Sequence, residues 1–270
     1  MDEQMQPWSP ERLRVVLGAI VVVAVLLLAG LIFWIVRAVS GPDTPVEATR
    51  TAPTQVSGQQ ARDQVAAEPM LQVDPVDARE GKVSPSPADT VRVPAATKVG
   101  PADVPTGFPH TPEGAIGQLA AISRVVTEGM SIPQAAAVHR QWALPGAPEA
   151  TQWRLVENVR VFLGSAGVSG QDAGTAAAMT VTPVAAQVKG RDGDDWVLAC
   201  VLFDVTAVVE QEARTGWGHC ERMQWDTSSR AWKIAPGEQP AVAPSTWPGS
   251  VKAVEAGWRT WVSPEGAETP

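Results

Sequence analysis

No tyrosine occurs in the 270 residues, and there are only four phenylalanines, three histidines and two cysteines. Without a phenol, every acid, base or oxyanion donor of that type is missing. His110, His139, His219, Cys200 and Cys220 fall in no C-x-x-C or H-x-x-x-H spacing, so no metal centre is expected. Neither G-x-S-x-G nor G-x-x-x-x-G-K-[ST] is found, which leaves no nucleophile elbow and no phosphate-cradling loop. Basic residues number 21 against 29 acidic ones, for a net charge of −8, and are nowhere clustered. Direct nucleic-acid binding needs a basic footprint and is not expected. Nor is a cofactor, and no fixed-period repeat is visible.

What the chain does have is Val15 to Val36, VVLGAIVVVAVLLLAGLIFWIV, without a charge. At about 1.5 Å per residue this run reaches roughly 33 Å, enough for a hydrocarbon core of about 30 Å. It reads as a single transmembrane helix. Ala38 and Ser40 resemble a leader-peptidase site, but a leader's apolar region is shorter and Arg37 intervenes. Arg12 and Arg14 on one side against Arg37 on the other place residues 1–14 in the cytoplasm as a short tail. Everything beyond Arg37 is then extracytoplasmic.

Residues 37–107 read as a disordered, proline-rich linker, since no Phe, Trp or Tyr occurs between Ser40 and Gly107 and prolines recur from Pro42 to Pro105. As a flexible coil, roughly 67 residues span about 45 Å. Residues 108–270 carry nine of the eleven tryptophans and both cysteines, with 17 acidic and 12 basic residues, and are expected to form one domain with its own core.

Within that domain, Thr111-Pro112-Glu113 predicts a helix start, and Ile116, Leu119, Ile122 and Val126 continue it to about Glu128. Ser131 to Gln134 fits a capping box opening a second helix, and a third is expected over about Glu149 to Leu163. The period then changes to two. Strands are predicted at Ala177 to Lys189, Trp196 to Val209, Gly216 to Trp225 and Arg230 to Ala235. Pro183 implies an edge or a bulge. Ser250 is read as the cap of a short helix bearing Val251, Val254, Trp258 and Trp261.

Three helices followed by a curved antiparallel sheet give an α+β class with the helices on one sheet face. This order resembles the nuclear transport factor 2-like cone fold. With the tail, span and tether, the layout resembles the bitopic scaffold subunits of conjugation and type IV secretion channels, particularly of Gram-positive mobile elements. Gly107 to Ile122, GFPHTPEGAIGQLAAI, is similar to actinobacterial proteins of conjugative plasmids. The resemblance implies a non-enzymatic scaffold that self-associates and contacts other channel or envelope subunits, and it transfers no contact residue. A cone-fold ligand-binding or enzymatic envelope protein, or an accessory subunit of a lipid-import or cell-wall complex, is the alternative.

Under that alternative Asp204, in VLFDVTAVV, and His219 are the pocket candidates. The plainer reading places Asp204 on a solvated face, paired across the sheet with a residue such as Arg222. Cys200 and Cys220 pose a disulfide question in an exported domain. Facing cysteines centre the hairpin turn on Glu210, whereas Asp204 opposite Arg222 centres it on Ala213. The two registers exclude each other, and Gly216 favours the later centre. Trp258 and Trp261 are candidates for partner contact, or pack a terminal helix onto its own sheet.

Overall fold

Eight consecutive apolar residues, WVLACVLF from Trp196 to Phe203, put side chains that are almost wholly buried on both sides of a single strand. A strand of that kind needs cover on both faces, and the remaining elements provide it. The computed structural model describes residues 53–174 and 177–264, which fall in one compact unit. In chain order the elements are β1 (Thr54–Gln55), α1 (Gln59–Ala67), β2 (Thr90–Arg92), β3 (Lys98–Val99), β4 (Pro105–Thr106), α2 (Pro112–Gly129), α3 (Ile132–Trp142), α4 (Arg154–Ser165), β5 (Ala178–Asp192), β6 (Trp196–Val208), β7 (Glu212–Asp226), β8 (Ala231–Ile234), α5 (Val251–Glu255) and β9 (Arg259–Val262). The main sheet is seven-stranded, ordered β2-β9-β5-β6-β7-β8, with β1 also beside β5; β3 and β4 pair separately. The class is α+β with a curved sheet. The expected span, residues 15–36, lies outside the described residues; among the described residues no helix is long and apolar enough to cross a membrane.

The helical half follows its sequence signals. Thr111 Oγ1 accepts from Gly114 N at 3.1 Å, and Ser131 Oγ accepts from Gln134 N at 3.4 Å. Helix α4 starts at Arg154 rather than Glu149, because Trp153 turns inward in an extended conformation and Gln239 Oε1 takes the Arg154 N–H at 2.6 Å. The GFPHTPEG run forms a packed corner. A Cβ on Gly114 would sit 1.9 Å from the Pro109 carbonyl oxygen, one on Gly117 would sit 2.6 Å from the Phe108 ring, and Trp232 Nε1 donates to that same carbonyl at 2.9 Å.

Strands β5 and β6 pair with register shifts after Pro183 and after Val188, the first of them where the missing N–H was expected to force an edge or bulge. Residues Val197, Ala199, Val201 and Phe203 face the helices and join the main core with Leu119, Ile122, Val156 and Val159. The opposite face was expected to be solvated, yet Leu198, Cys200 and Leu202 are fully buried on it.

Its cover corrects the expected linker. Residues 53–107 do not hang free of the domain; they wrap it as a strap, and residue 108 marks no boundary. Val65 and Ala66 of α1 pack with Trp196, Leu198 and Ala235. Val91, Val93 and Val104 enter the main core, and β2 pairs in parallel with β9. Thr106 Oγ1 donates to buried Gln118 Oε1 at 2.6 Å, and Gln118 Nε2 donates to the Pro105 carbonyl at 3.1 Å. Such a segment has too little apolar surface for a core of its own. It orders by adding single aliphatic side chains and backbone hydrogen bonds to a core that already exists.

The C-terminal helix is also shorter than expected. Only Val251–Glu255 is helical, and Trp261 lies on β9. Gly257, at φ +80°, turns the chain between them.

Val93 is 1% exposed. Val93→Ala is expected to lower the unfolding free energy by about 1–3 kcal/mol. Urea denaturation of the variant checks this, because a free linker would show no change.

Candidate functional site

Alternate residues of β7 carry Trp217, His219, Glu221 and Met223 on the helix-facing side of the sheet. They run from the turn side of the β6–β7 hairpin into the core, where His219 and Glu221 are 1% and 2% exposed. Trp217 stacks on His219 with ring centroids 5.4 Å apart and on Phe203 at 5.2 Å. Glu221 is anchored by two donors, Trp153 Nε1 at 2.9 Å and the Arg222 N–H at 3.2 Å. Neither ring nitrogen of His219 has a hydrogen-bond partner among the described residues.

His219 Nε2 and Glu221 Oε2 are 3.9 Å apart, close enough to suggest an ion pair. Electrostatics argue otherwise. Burial pushes the imidazole down from 6.5 to about 3, with Arg154 adding to the effect, and burial also raises Glu221 above its ordinary value of 4.5. Burial thus disfavours the charged form of each, and the two groups face each other beyond hydrogen-bond reach. His139 on α3, its ring 5.2 Å from that of Trp153, is likewise lowered, chiefly by burial. A general base must reach its substrate, and this row is enclosed by Trp153, Trp217 and Phe203.

Asp204 lies on the other face of the sheet. It does not meet Arg222. Its carboxylate accepts from Arg214, with Nε to Oδ1 at 2.7 Å, and Arg214 also lies over the Trp247 ring at 5.0 Å. The reason is register. Cys200 faces Cys220 and Asp204 faces Gly216, so the hairpin centres on Glu210 and not on Ala213. Gly216 is placed by a different demand: a Cβ there would sit 1.9 Å from the Thr246 carbonyl oxygen. The earlier register joins Cys200 and Cys220 in a disulfide that ties the two central strands, with Met70 of the strap against Cys220.

Of the proposed contact tryptophans, Trp258 is 2% exposed and packs with the disulfide beneath α5, its indole N–H donating to the Pro244 carbonyl at 3.2 Å. Its small exposed edge lines a cleft rather than an outer face. Trp261 is half-buried against the main core and donates to Ser263 Oγ. His110 is the most exposed of the histidines, stacked on Trp225 at 4.4 Å and paired with Asp195 at 2.8 Å.

Sequence reasoning named Arg222 only as a partner for Asp204 and missed its burial beneath α1. Its guanidinium is 2% exposed, donates to Asp63 of α1 at 2.5 Å, and leaves Nε without a partner among the described residues. Arg62 of α1 also binds Asp192 at 2.7 Å and lies over the Trp196 ring. The signal was modest: Arg-Asp side by side in a segment otherwise read as linker.

A shallow cleft of about 450 Å³ lies between residues 83–88 and α5, lined mainly by Val83, Pro87, Val184, Pro248, Val254 and Trp258. It contains neither Asp204 nor His219. Among the described residues no group of three or more His, Cys, Asp or Glu side chains is placed to hold a metal ion. Comparison with known protein families, with curated proteins and with solved structures finds no match.

The two buried groups give opposite pH dependences. His219 titrates at about 3 when folded and near 6.5 when unfolded, so its contribution to stability is lost as pH falls below 6.5. Glu221 is raised when folded, so its contribution is lost as pH rises above 4.5. Between these values they oppose each other. Glu221→Gln is expected to leave the histidine effect alone, giving a loss of stability from pH 6.5 to 4.5 steeper than wild type by up to about 1.4 kcal/mol per pH unit. Urea titrations at each pH, at constant ionic strength, measure the slope.

Proposed function

We propose that the chain is a membrane-anchored, non-enzymatic assembly subunit of a conjugation or secretion channel, acting through protein contacts of an extracytoplasmic domain of nuclear transport factor 2-like cone type. The observation that carries this reading is the filled space under the helices. In a cone-fold enzyme that space holds substrate; here Trp153, Phe203 and Trp217 occupy it around His219, and Asp204 sits on the opposite face. The Cys200–Cys220 disulfide supports an oxidising, extracytoplasmic location.

The ordered strap changes the reach of the anchor. Between Val36 and Pro53 lie only residues 37–52. Fully extended, these 16 residues cover at most about 55 Å, and as a coil about 20–24 Å.

Small-ligand binding is the second reading, favoured by the unpartnered nitrogens of His219. In-cell photo-cross-linking from exposed positions such as Val161 and Val242 tests the first. Adducts with other envelope subunits or with a second copy are expected; recovery of monomer alone overturns the assembly role.

A further inference from the structure

From Glu68 to Asp74 the strap has no regular structure, and Glu68, Pro69, Leu71 and Gln72 are exposed on either side of Met70. Met70 is the one strap side chain that packs on the disulfide cluster. Among the described residues no backbone hydrogen bond joins residues 69–73 to the rest of the domain. Apart from Lys189 Nζ, which donates to the Glu68 carbonyl, the thioether is what ties this stretch down. Its Sδ lies 3.6 Å from Cys220 Sγ, an apolar contact, because a bonded cysteine has no S–H to donate. Cys200 and Cys220 are 0% and 1% exposed, and Leu202, Ala243, Ala253 and Trp258 complete the cluster. Its single side-chain donor, the Trp258 indole N–H, is already held by the Pro244 carbonyl. The site therefore suits a thioether and has no free side-chain donor for a polar oxygen. Met130 and Met223 are 5% and 0% exposed, whereas Met70 is partly open to solvent. Met179 is also partly open, but it packs on the main core, on the other side of the sheet from the disulfide cluster.

We propose that Met70 is an oxidation site for hydroperoxides and latches the strap over the Cys200–Cys220 disulfide. The thioether sulfur attacks the terminal peroxide oxygen and the O–O bond breaks. The hydroxyl proton passes to the departing oxygen, which leaves as water or an alcohol; sulfur loses two electrons and the peroxide gains two. The new sulfoxide oxygen lies among Leu202, Ala243, Ala253 and the bonded cysteines, where an unpaired polar group is disfavoured. Residues 68–73 then lift from the sheet. The disulfide becomes open to a thiolate, and the rate of exchange depends on that access. The strap thereby makes the redox state of the disulfide depend on that of Met70. The latch is independent of the channel-subunit role.

The test uses the full chain in detergent, treated with hydrogen peroxide, with mass spectrometry of the Met70 peptide reporting the added oxygen. Excess dithiothreitol is then added, and the rate at which Cys200 and Cys220 become reactive to a maleimide is followed. Peroxide is expected to raise that rate by about tenfold or more in wild type. Met70→Leu, a swap of similar volume without an oxidisable sulfur, is expected to keep its own untreated rate after peroxide. Met179→Leu should respond as wild type does. A methionine sulfoxide reductase should return the oxidised wild type to slow reduction, a readout that needs no substitution. The proposal is overturned by equal rates before and after oxidation of Met70, by the same acceleration in Met70→Leu, or by a Met70 left unmodified while Met179 is oxidised.

Discussion

One central strand that is apolar on both sides governs the structure. Val197, Ala199, Val201 and Phe203 require cover from one direction, and Trp196, Leu198, Cys200 and Leu202 from the other. Burying a large aliphatic or aromatic side chain contributes about 1.5–3 kcal/mol relative to leaving it in water, so neither face can stay open. The three helices close the first face. The second is closed by two segments with little regular structure, the strap before the helices and the stretch from Ala235 to Trp258 after the sheet. Both are pinned by backbone hydrogen bonds such as Trp247 N to the Asp77 carbonyl and Ala241 N to the Ala66 carbonyl.

The same constraint explains the chemistry of the interior. Facing cysteines sit where the two central strands run side by side, so the disulfide is a consequence of register. That register also puts His219 and Glu221 on the helix side, in the filled part of the molecule, and leaves Asp204 outside with Arg214. The buried histidine and glutamic acid are each shifted by loss of water in the direction that disfavours the charge. Arg222 cannot take that route, since a guanidinium does not lose its proton. It needs an acid, and the strap brings one.

Much of this was legible in local pattern. The caps at Thr111 and Ser131, the alternation along residues 196–209 and the irregularity at Pro183 each depend on a few neighbouring residues, and each appears near where the pattern put it. The order of helices before strands followed as well. The strap was misread because composition measures whether a segment can bury a core of its own, whereas these residues share another's. The alternation Thr90-Val91-Arg92-Val93 was a strand signal inside a segment judged by its lack of aromatics. The run WVLACVLF already marked a strand buried on both faces, and a second cover had to come from somewhere in the chain.

The sequence by itself determined the three helices α2–α4, the strands β5–β8 and the fact that one face of the long strand is core, because caps, periodicity and proline act over a few residues. It also set the candidate span and the poverty of catalytic groups. Tertiary structure decided the rest. Whether the hairpin centred on Glu210 or Ala213, and hence whether the cysteines met, depended on how a glycine strand edge packs against the Thr246 carbonyl, far along the chain. Whether residues 53–107 were tether or cover depended on an apolar face more than a hundred residues away. Local rules cannot see such contacts, because the free energy that fixes them is shared between segments that only folding brings together.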